Sequence, residues 1–300
     1  MKKILSFAAL AATLLLAGCI HEIYDQLPSE YGQGVSVGYI ANQLSWEIPE
    51  DTDTQLHQLT CAVMGSQASF SKSYSNVREV AADPIQVPVG QYEVLALANM
   101  TDADGYVLSG LPSTKALTGP VTVSLKKSGG PLTQAWFGPA PVTVEQDAVT
   151  TAKASLQRLL TTITLDFSNV PAGSVLNFTL TGVATSIILN EKDANGHYGV
   201  PTGESTNYVL GTLTGNGKQT FYCFPTVPGQ QRAILSVEVA PPGEPPYTCV
   251  CEVPSVSCGK DYTLQLDYNK LSTYMYVTGH AINEWTEGWT VSGEILNPQA

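Results

Sequence analysis

The sequence predicts an all-β protein with two β-sandwich domains behind an N-terminal export signal. Short runs of alternating apolar and polar residues recur along the chain, and turn-forming residues separate them about every 8–12 positions. Charged residues make up only 13% of the chain, whereas 26 glycines and 19 prolines are available for turns. No stretch keeps a helical period over several turns, and residues 151–160 are the one candidate for a helical turn or two.

The N-terminus predicts a lipoprotein signal peptide, residues 1–18. Lys2 and Lys3 precede the uncharged apolar run 4–16, which is too short to span a bilayer as a helix. The run ends in Leu-Ala-Gly-Cys, which resembles the lipobox of bacterial lipoproteins. That resemblance implies cleavage before Cys19 and acylation of this residue, and two or three acyl chains hold a protein firmly in a membrane. The alternative is an ordinary signal peptide with a chance cysteine.

The chain is strongly acidic, with a formal net charge of −12. Loss of Lys2 and Lys3 with the signal peptide changes this to −14, because residues 1–18 contain no acidic side chain. A surface with so few basic side chains lacks the positive footprint that binds nucleic acid or anionic lipid head groups. We therefore exclude nucleic acid as a partner.

The first sandwich is predicted for residues 35–156, after a lipidated N-terminus and polar tether at 19–34. Its strands are predicted within 35–48, 56–65 and 84–100. In the last of these segments one face carries Tyr92, Val94, Ala96 and Ala98, and the other face is apolar in its middle. This pattern is typical of a central strand that is covered on one face and at least partly on the other.

The second sandwich is predicted for residues 157–300, with the junction between the domains at 156–161. Ile163, Leu165 and Phe167 alternate with polar residues, which indicates a strand with one buried face. Further strands are predicted within 173–183, 186–200, 217–229, 232–253 and 259–268.

Five cysteines follow the lipobox, and thiols tend to pair in the oxidising compartments that exported chains reach. At least one disulfide is predicted among Cys223, Cys249, Cys251 and Cys258, with Cys61 unpaired and the connectivity open. Cys249 and Cys251 are two residues apart and share one face of a strand, which suits bonds to neighbouring strands better than a bond to each other. Free buried thiols are the alternative. A metal site is disfavoured because the paired cysteines and nearby histidines of zinc sites are missing.

One acidic segment has the beginning of a calcium-binding loop. Glu191, Asp193 and Asn195 stand at alternate positions before Gly196. An EF-hand needs a bidentate glutamate at the twelfth position, which is Thr202 here, and flanking helices. We therefore predict a hairpin turn that uses Asn-Gly.

No residue pattern indicates an enzyme. Asp102 and Asp104 in the segment 101–106 are predicted to be turn residues, and no nucleophile elbow or phosphate-binding loop is present. Acidic pairs elsewhere lie in polar segments, so nothing marks the raised-pKa acid of a glycosidase. The sequence predicts no catalytic activity, no cofactor and no metal.

Two tryptophans near the C-terminus leave a second function open. Trp285 and Trp289 are four residues apart, so on a strand they would face one side and could stack on a sugar. Packing in the core of a terminal strand is the other interpretation. The first interpretation would suit a surface glycan-binding lipoprotein of a polysaccharide-uptake system.

Several segments together are similar to the fimbrillin-like lipoproteins of Bacteroidales bacteria, and in particular to their fimbrial anchor subunits, the minor fimbrial components. They are the lipobox, VPVGQYEVLALAN, FYCFPT, CGKDYTLQLDY and INEWTEGW. The resemblance implies two transthyretin-like sandwich domains and an outer-membrane lipoprotein exposed on the cell surface. It also implies other fimbrial subunits as partners, joined by β-strand complementation, in which a donated strand completes a neighbour's sheet.

Two features bear on the role within a fimbrium. In the C-terminal tail, Trp289, Val291 and Ile295 share one face, which suits either the last strand of the second domain or a donor strand. In the resembled family a protease cuts shaft subunits after an arginine and frees their first strand. Here Lys72 and Arg78 are the first basic residues after the signal peptide. This absence of a cleavage site favours an anchor over a shaft subunit.

Overall fold

The computed structural model describes residues 43–47, 56–113, 119–126, 132–146, 148–230, 232–270, 274–277, 290–291 and 295–296. Within these ranges the chain is almost entirely β-structure, as predicted, with one short α-helix and one 3-10 turn. The signal peptide, Cys19 and the tether lie outside the described residues.

The strands are numbered in chain order. The first half contains β1 Gln43–Glu47, β2 Leu59–Met64, β3 Ser69–Tyr74, α1 Val77–Ala81, β4 Ile85–Gln86, β5 Gly90–Ala98, β6 Tyr106–Ser109, β7 Thr122–Leu125, β8 Trp136–Val144, β9 Val149–Lys153 and β10 Gln157–Arg158. The second half contains β11 Thr161–Ser168, β12 Val175–Thr181, β13 Ala184–Lys192, β14 Tyr198–Glu204, β15 Tyr208–Thr214, β16 Gly217–Cys223, β17 Arg232–Ala240, β18 Tyr247–Pro254, β19 Asp261–Asp267, the 3-10 turn Tyr268–Lys270, β20 Tyr274–Val277, β21 Thr290–Val291 and β22 Ile295–Leu296.

The first sandwich packs the five-stranded sheet β10-β8-β5-β2-β3 against the three-stranded sheet β4-β1-β9. Strand β5 lies in the middle of the larger sheet. Its Tyr92, Val94, Ala96 and Ala98 enter the core between the two sheets, which confirms the alternation predicted from the sequence. The opposite face of β5 is also buried, because Leu95, like its neighbour Leu97, enters a second core.

That second core lies under a four-stranded sheet, β14-β13-β7-β6, which covers the outer face of the five-stranded sheet. The β13–β14 hairpin comes from the second half of the chain, and β13 pairs antiparallel with β7 from the first half. Close approach requires Gly199, where φ is +93° and a Cβ atom would lie 2.9 Å from the Phe137 ring. This sheet therefore joins the two halves, while a domain boundary at 156/157 stays a prediction.

The second sandwich packs the six-stranded sheet β15-β12-β17-β18-β20-β22 against the four-stranded sheet β16-β11-β19-β21. The predicted alternation in β11 is confirmed, because Ile163, Leu165 and Phe167 all enter the core between these sheets. Strand β11 pairs antiparallel with β16 on one side and parallel with β19 on the other.

Two local expectations differ from the structure. Residues 151–160, the candidate for a helical turn, contain the end of β9 and the short strand β10 instead. The described helix is α1, where the Asn76 side chain accepts a hydrogen bond from Glu79 N and the Glu79 carboxylate accepts one from Ser75 N. This reciprocal cap stabilises a helix of five residues, which is too short to show a helical period in the sequence.

Candidate functional site

The first described strand, β1, lies in the middle of a sheet rather than at its edge. Strand β1 pairs in parallel with β9 over five residues, from Gln43 opposite Val149 to Glu47 opposite Lys153. On its other side it pairs antiparallel with β4 over two residues. Removal of β1 would therefore separate β4 from β9 and leave a slot over the first core.

After Lys3, the next lysine or arginine in the sequence comes after this strand and after β2. Lys72 lies within β3 and forms an ion pair with Asp83, and Arg78 lies in α1. A cut at either residue would remove β1 and β2 together, and β2 is an inner strand of the five-stranded sheet. Two described strands, β1 and β2, therefore precede Lys72 and Arg78.

The C-terminal tail extends both sheets of the second sandwich. Strand β20 runs parallel to β18, and β22 pairs antiparallel with β20 so that Ile295 lies opposite Val277. Strand β21 runs parallel to β19, and Val291 lies opposite Leu264. Trp289 and Trp285 lie outside the described residues, and donation of the tail to a neighbouring subunit stays a prediction.

All five cysteines after the lipobox are free thiols in the structure. Cys61 is buried in the first core, and Cys223, Cys249 and Cys251 are buried in the core of the second sandwich, whereas Cys258 is partly exposed. Burial raises the pKa of Cys61 and of Cys251 to about 12. Thiols with such high pKa values are poor nucleophiles and pack as small apolar groups. A disulfide among the four cysteines of the second half stays a prediction.

The calcium-like segment is a hairpin turn between β13 and β14, as predicted. The Asp193 carboxylate accepts hydrogen bonds from the backbone N–H groups of Asn195 and His197, both at 2.8 Å. The hydrogen bonds from His197 and Asn195 lower the pKa of Asp193. Within the described part of the chain no three acidic, histidine or cysteine side chains are placed to hold a metal ion.

The segment 101–106 is also a turn, but one of its aspartates has a structural role that sequence reasoning missed. Asp104 is 5% exposed, and its carboxylate accepts hydrogen bonds from Thr101 N, Thr101 Oγ1 and His57 Nε2. Burial acts to raise the pKa of Asp104, but these hydrogen bonds outweigh it and hold the pKa below its ordinary value. The signal in the sequence was the Thr-x-x-Asp spacing, which is typical of capped turns.

The junction between the halves also depends on residues that the sequence did not single out. The Arg158 guanidinium binds both carboxylate oxygens of Asp261, at 2.8 and 3.1 Å, and donates a further hydrogen bond to Gly259 O. These contacts tie β10 to the start of β19. Partners about 100 residues apart in the sequence cannot be identified from local patterns.

Described residues of the second sandwich surround a small cavity. A cavity of about 10 Å³ lies in the core of the second sandwich. Its walls are apolar apart from one tyrosine and consist of Ile163, Leu165, Leu180, Leu235, Val253, Val256, Tyr262 and Leu264. A cavity of this size holds at most one water molecule, and apolar walls leave it dry. No helix among the described residues has the length and apolar character needed to cross a membrane.

Comparison with solved structures supports the fold. A candidate adhesin from Bacteroides ovatus is 14% identical, with a TM-score of 0.51 over 73% of this chain and 88% of that chain. A candidate cell adhesion protein from Bacteroides eggerthii is 16% identical, with a TM-score of 0.51 over 78% of this chain and 89% of that chain. The fimbrial anchor protein Mfa2 from Porphyromonas gingivalis is 11% identical, with a TM-score of 0.43 over 66% and 76% of the two chains.

A comparison with curated protein sequences gave no significant match. The family model for the fimbrillin-A associated anchor proteins Mfa1 and Mfa2 matches residues 56–287. The match spans well over half of the chain, and it covers the sheet that joins the halves and both sandwiches apart from β1, β21 and β22. This chain therefore belongs to the family of fimbrillin-A associated anchor proteins.

Proposed function

We propose that this chain is the lipid-anchored base subunit of a cell-surface fimbrium. Acylated Cys19 would hold it in the outer membrane, and β-strand complementation would join it to the next subunit. Membership in the anchor-protein family supports a fimbrial role. The observation that carries the anchor assignment is the position of β1 between β4 and β9, in a chain with no basic residue from position 20 to position 71.

The role of a subunit in a fibre depends on whether one of its own strands can leave its sheet. A subunit that accepts a donor strand needs an open slot with unpaired backbone N–H and C=O groups. In this chain the slot between β4 and β9 is filled by the protein's own first strand. A protease that cuts after lysine or arginine has no site in residues 20–71. The strand therefore stays in its sheet and stays connected to the lipid.

A subunit whose own first described strand fills the slot between β4 and β9 can still donate another strand to a neighbouring subunit. Among the described residues of the tail, β21 and β22 pair over two residues each with β19 and β20, which is a short attachment to their own domain. Donation of this tail would connect the chain to one neighbour and to no second one. Such a subunit ends a polymer, and its lipid places that end at the membrane.

The composition of native fibres tests the proposal. Fibres are purified from detergent-solubilised outer membranes, and the N-terminal peptide and the copy number of this chain are measured by mass spectrometry. We expect an intact, acylated chain at about one copy per fibre. A mature surface form without residues 20–71, or polymers built from this chain alone, would overturn the anchor assignment.

An engineered cleavage site tests the filled slot directly. Thr52 lies in the acidic segment between β1 and β2, and Thr52→Arg creates a site for a trypsin-like protease. After cleavage we expect this variant to bind a synthetic peptide with the sequence of residues 288–300, whereas protease-treated Thr52→Gln should not. Equal binding by both variants would show that β1 does not block the slot.

A further inference from the structure

In each sandwich an early strand pairs in parallel with a later strand of the same half. In the first sandwich these strands are β1 and β9, which are parallel over five residue pairs. In the second they are β11 and β19, the last strand before the C-terminal segment, which are parallel over seven pairs. The same arrangement thus occurs twice along the chain.

In a parallel pair, the start of the earlier strand and the end of the later strand lie at opposite ends of the ladder. Gln43, at the start of β1, lies at one end of the β1–β9 ladder, and Lys153, at the end of β9, lies at the other. A pull on these two points acts along the strands and loads all the hydrogen bonds between them at once. In an antiparallel pair the same two points would be neighbours, and a pull would open the bonds one after another.

Further contacts extend the β11–β19 ladder at the end where both strands begin, which is where a pull from the first half of the chain would act. Thr162 N donates to Lys260 O at 2.9 Å, and Gly259 N donates to Leu160 O at 3.2 Å. Arg158 bridges to Asp261 at the same end. Charge-assisted and bidentate hydrogen bonds of this kind are stronger than neutral ones.

A second connection lets the two halves share a load. Strand β13 pairs with β7 across the halves, and the hydroxyl groups of Ser124 and Ser186 lie 2.9 Å apart at this ladder. The Asn190 side chain accepts a hydrogen bond from Val121 N at 2.8 Å. A pull on the segment between β9 and β11 is therefore opposed by the sheet that joins the halves as well.

We propose that the β1–β9 and β11–β19 ladders are mechanical clamps that let this chain bear tension between its N-terminus and its C-terminal tail. The inference rests on the proposed function, since a subunit held by lipid at one end and by a fibre at the other is pulled at these two points. Bearing tension is then a function of the backbone topology and not of any single side chain.

Single-molecule force measurements on the purified chain test the first clamp. One handle replaces residues 1–19, and a clickable unnatural amino acid provides the second handle at one of two exposed positions, Gln146 before β9 or Ser155 after it. With handles at the N-terminus and at Ser155, the force acts along the strands and loads the whole β1–β9 ladder. With handles at the N-terminus and at Gln146, the force opens the same ladder from one end. We expect a several-fold higher rupture force for the pair that ends at Ser155.

The second clamp is tested with the same method and one handle at Ser155. The other handle is placed at Asn269, after β19, or at Ser255, before it, and both positions are exposed. The pair that ends at Asn269 should again rupture at the higher force. Equal rupture forces within either comparison, at matched pulling speed, would overturn the clamp for that ladder.

Controls keep these outcomes separate from misfolding and from the anchor assignment. Each labelled chain should unfold at the same urea concentration as the unlabelled chain, and Glu145 and Gln157 are exposed replacement positions for the first comparison. The forces are measured without lipid or partner. A fibre composition that contradicts the anchor role would thus leave the force difference intact, and equal forces would leave the fibre composition unchanged.

Discussion

At the scale of single residues, two aspartates of one turn differ in how far their side chains are buried and in what these side chains contact. Asp102 and Asp104 are two residues apart in one acidic turn, yet the Asp102 side chain is 74% exposed and the Asp104 side chain is 5% exposed. The buried carboxylate is satisfied by several donors, and it ties the turn to His57 before β2. Loss of such a group leaves those donors unpaired.

We expect Asp104→Asn to lower the free energy of unfolding by about 2 kcal/mol at pH 7, because it removes a buried charged acceptor. Asp102→Asn is the matched control and should change stability by less than about 0.5 kcal/mol. Urea unfolding at pH 7 checks both values. A loss from Asp104→Asn as small as that of the control would show that the Asp104 hydrogen bonds contribute nothing to stability.

The same variant predicts a pH dependence. The pKa of Asp104 in the folded chain is below its ordinary value, so the folded state favours the charged carboxylate. Its contribution is complete above the pKa of an unfolded aspartate, about 3.9, and is lost as the pH falls through the folded pKa. The stability difference between the wild type and Asp104→Asn should therefore shrink below about pH 4. A difference that grows on acidification would contradict this sign.

Cys19 is the residue on which the membrane attachment depends in our proposal. We expect Cys19→Ser to be released from the membrane or to keep its signal peptide, because serine offers no thiol for acylation. Membrane fractionation and an intact-mass measurement distinguish these outcomes. A Cys19→Ser chain that stays membrane-bound at the normal mature mass would exclude the lipoprotein assignment.

At the scale of elements, strands with a buried face could be predicted and two-residue strands could not. Strand β11 alternates in the sequence because every second side chain enters one core, and β5 is apolar in its middle because both of its faces enter cores. Strands β4, β10, β21 and β22 have two residues each, and two residues contain no period. They exist because a neighbouring strand offers free backbone hydrogen bonds.

Deletion of residues 288–300 tests the tail as an element. We expect the shortened chain to keep its fold, because β21 and β22 form only two residue pairs each with their neighbours, and to lose its fimbrial partner. Thermal unfolding and a pull-down from solubilised outer membranes measure the two properties. An unfolded product would show instead that the tail is an integral part of the second sandwich.

A substitution pair refines this test without shortening the chain. Val291→Ser with Ile295→Ser changes the face that we propose to be donated, and Thr290→Ser with Glu294→Gln changes the opposite face. Only the first pair should weaken partner binding. Equal effects of both pairs would argue against insertion of one apolar face into a groove.

At the scale of the whole molecule, the sheet that joins the halves should make them unfold together. Ile187 in β13 is fully buried in the core beneath this sheet, whereas Ile188 on the opposite face is partly exposed. Ile187→Ala should lower the free energy of unfolding by about 2–5 kcal/mol, with a smaller loss for Ile188→Ala.

Hydrogen exchange shows which strands lose stability in the Ile187→Ala variant. Because the core under Ile187 contains residues from both halves, Ile187→Ala should accelerate exchange in β5 and in β11 together. Faster exchange in β13 and β14 alone would show that the hairpin is an independent unit.

The sequence by itself determined the all-β class, the turns at 101–106 and 193–196, and the longer strands with a buried face, such as β5 and β11. These features depend on contacts between near neighbours, on alternating burial and on turn-forming residues, so a local pattern is enough to predict them. The absence of basic residues from 20 to 71 is likewise a property of the chain alone.

Only the tertiary structure decided which strands meet. The parallel pairing of β1 with β9 joins residues more than 100 positions apart, and β13 leaves the second half of the chain to pair with β7 in the first. No local pattern encodes such partners, because a strand with one apolar face can complete any sheet edge beside a core. The slot that β1 fills, and the direction in which a pull would load it, follow from that choice of partner.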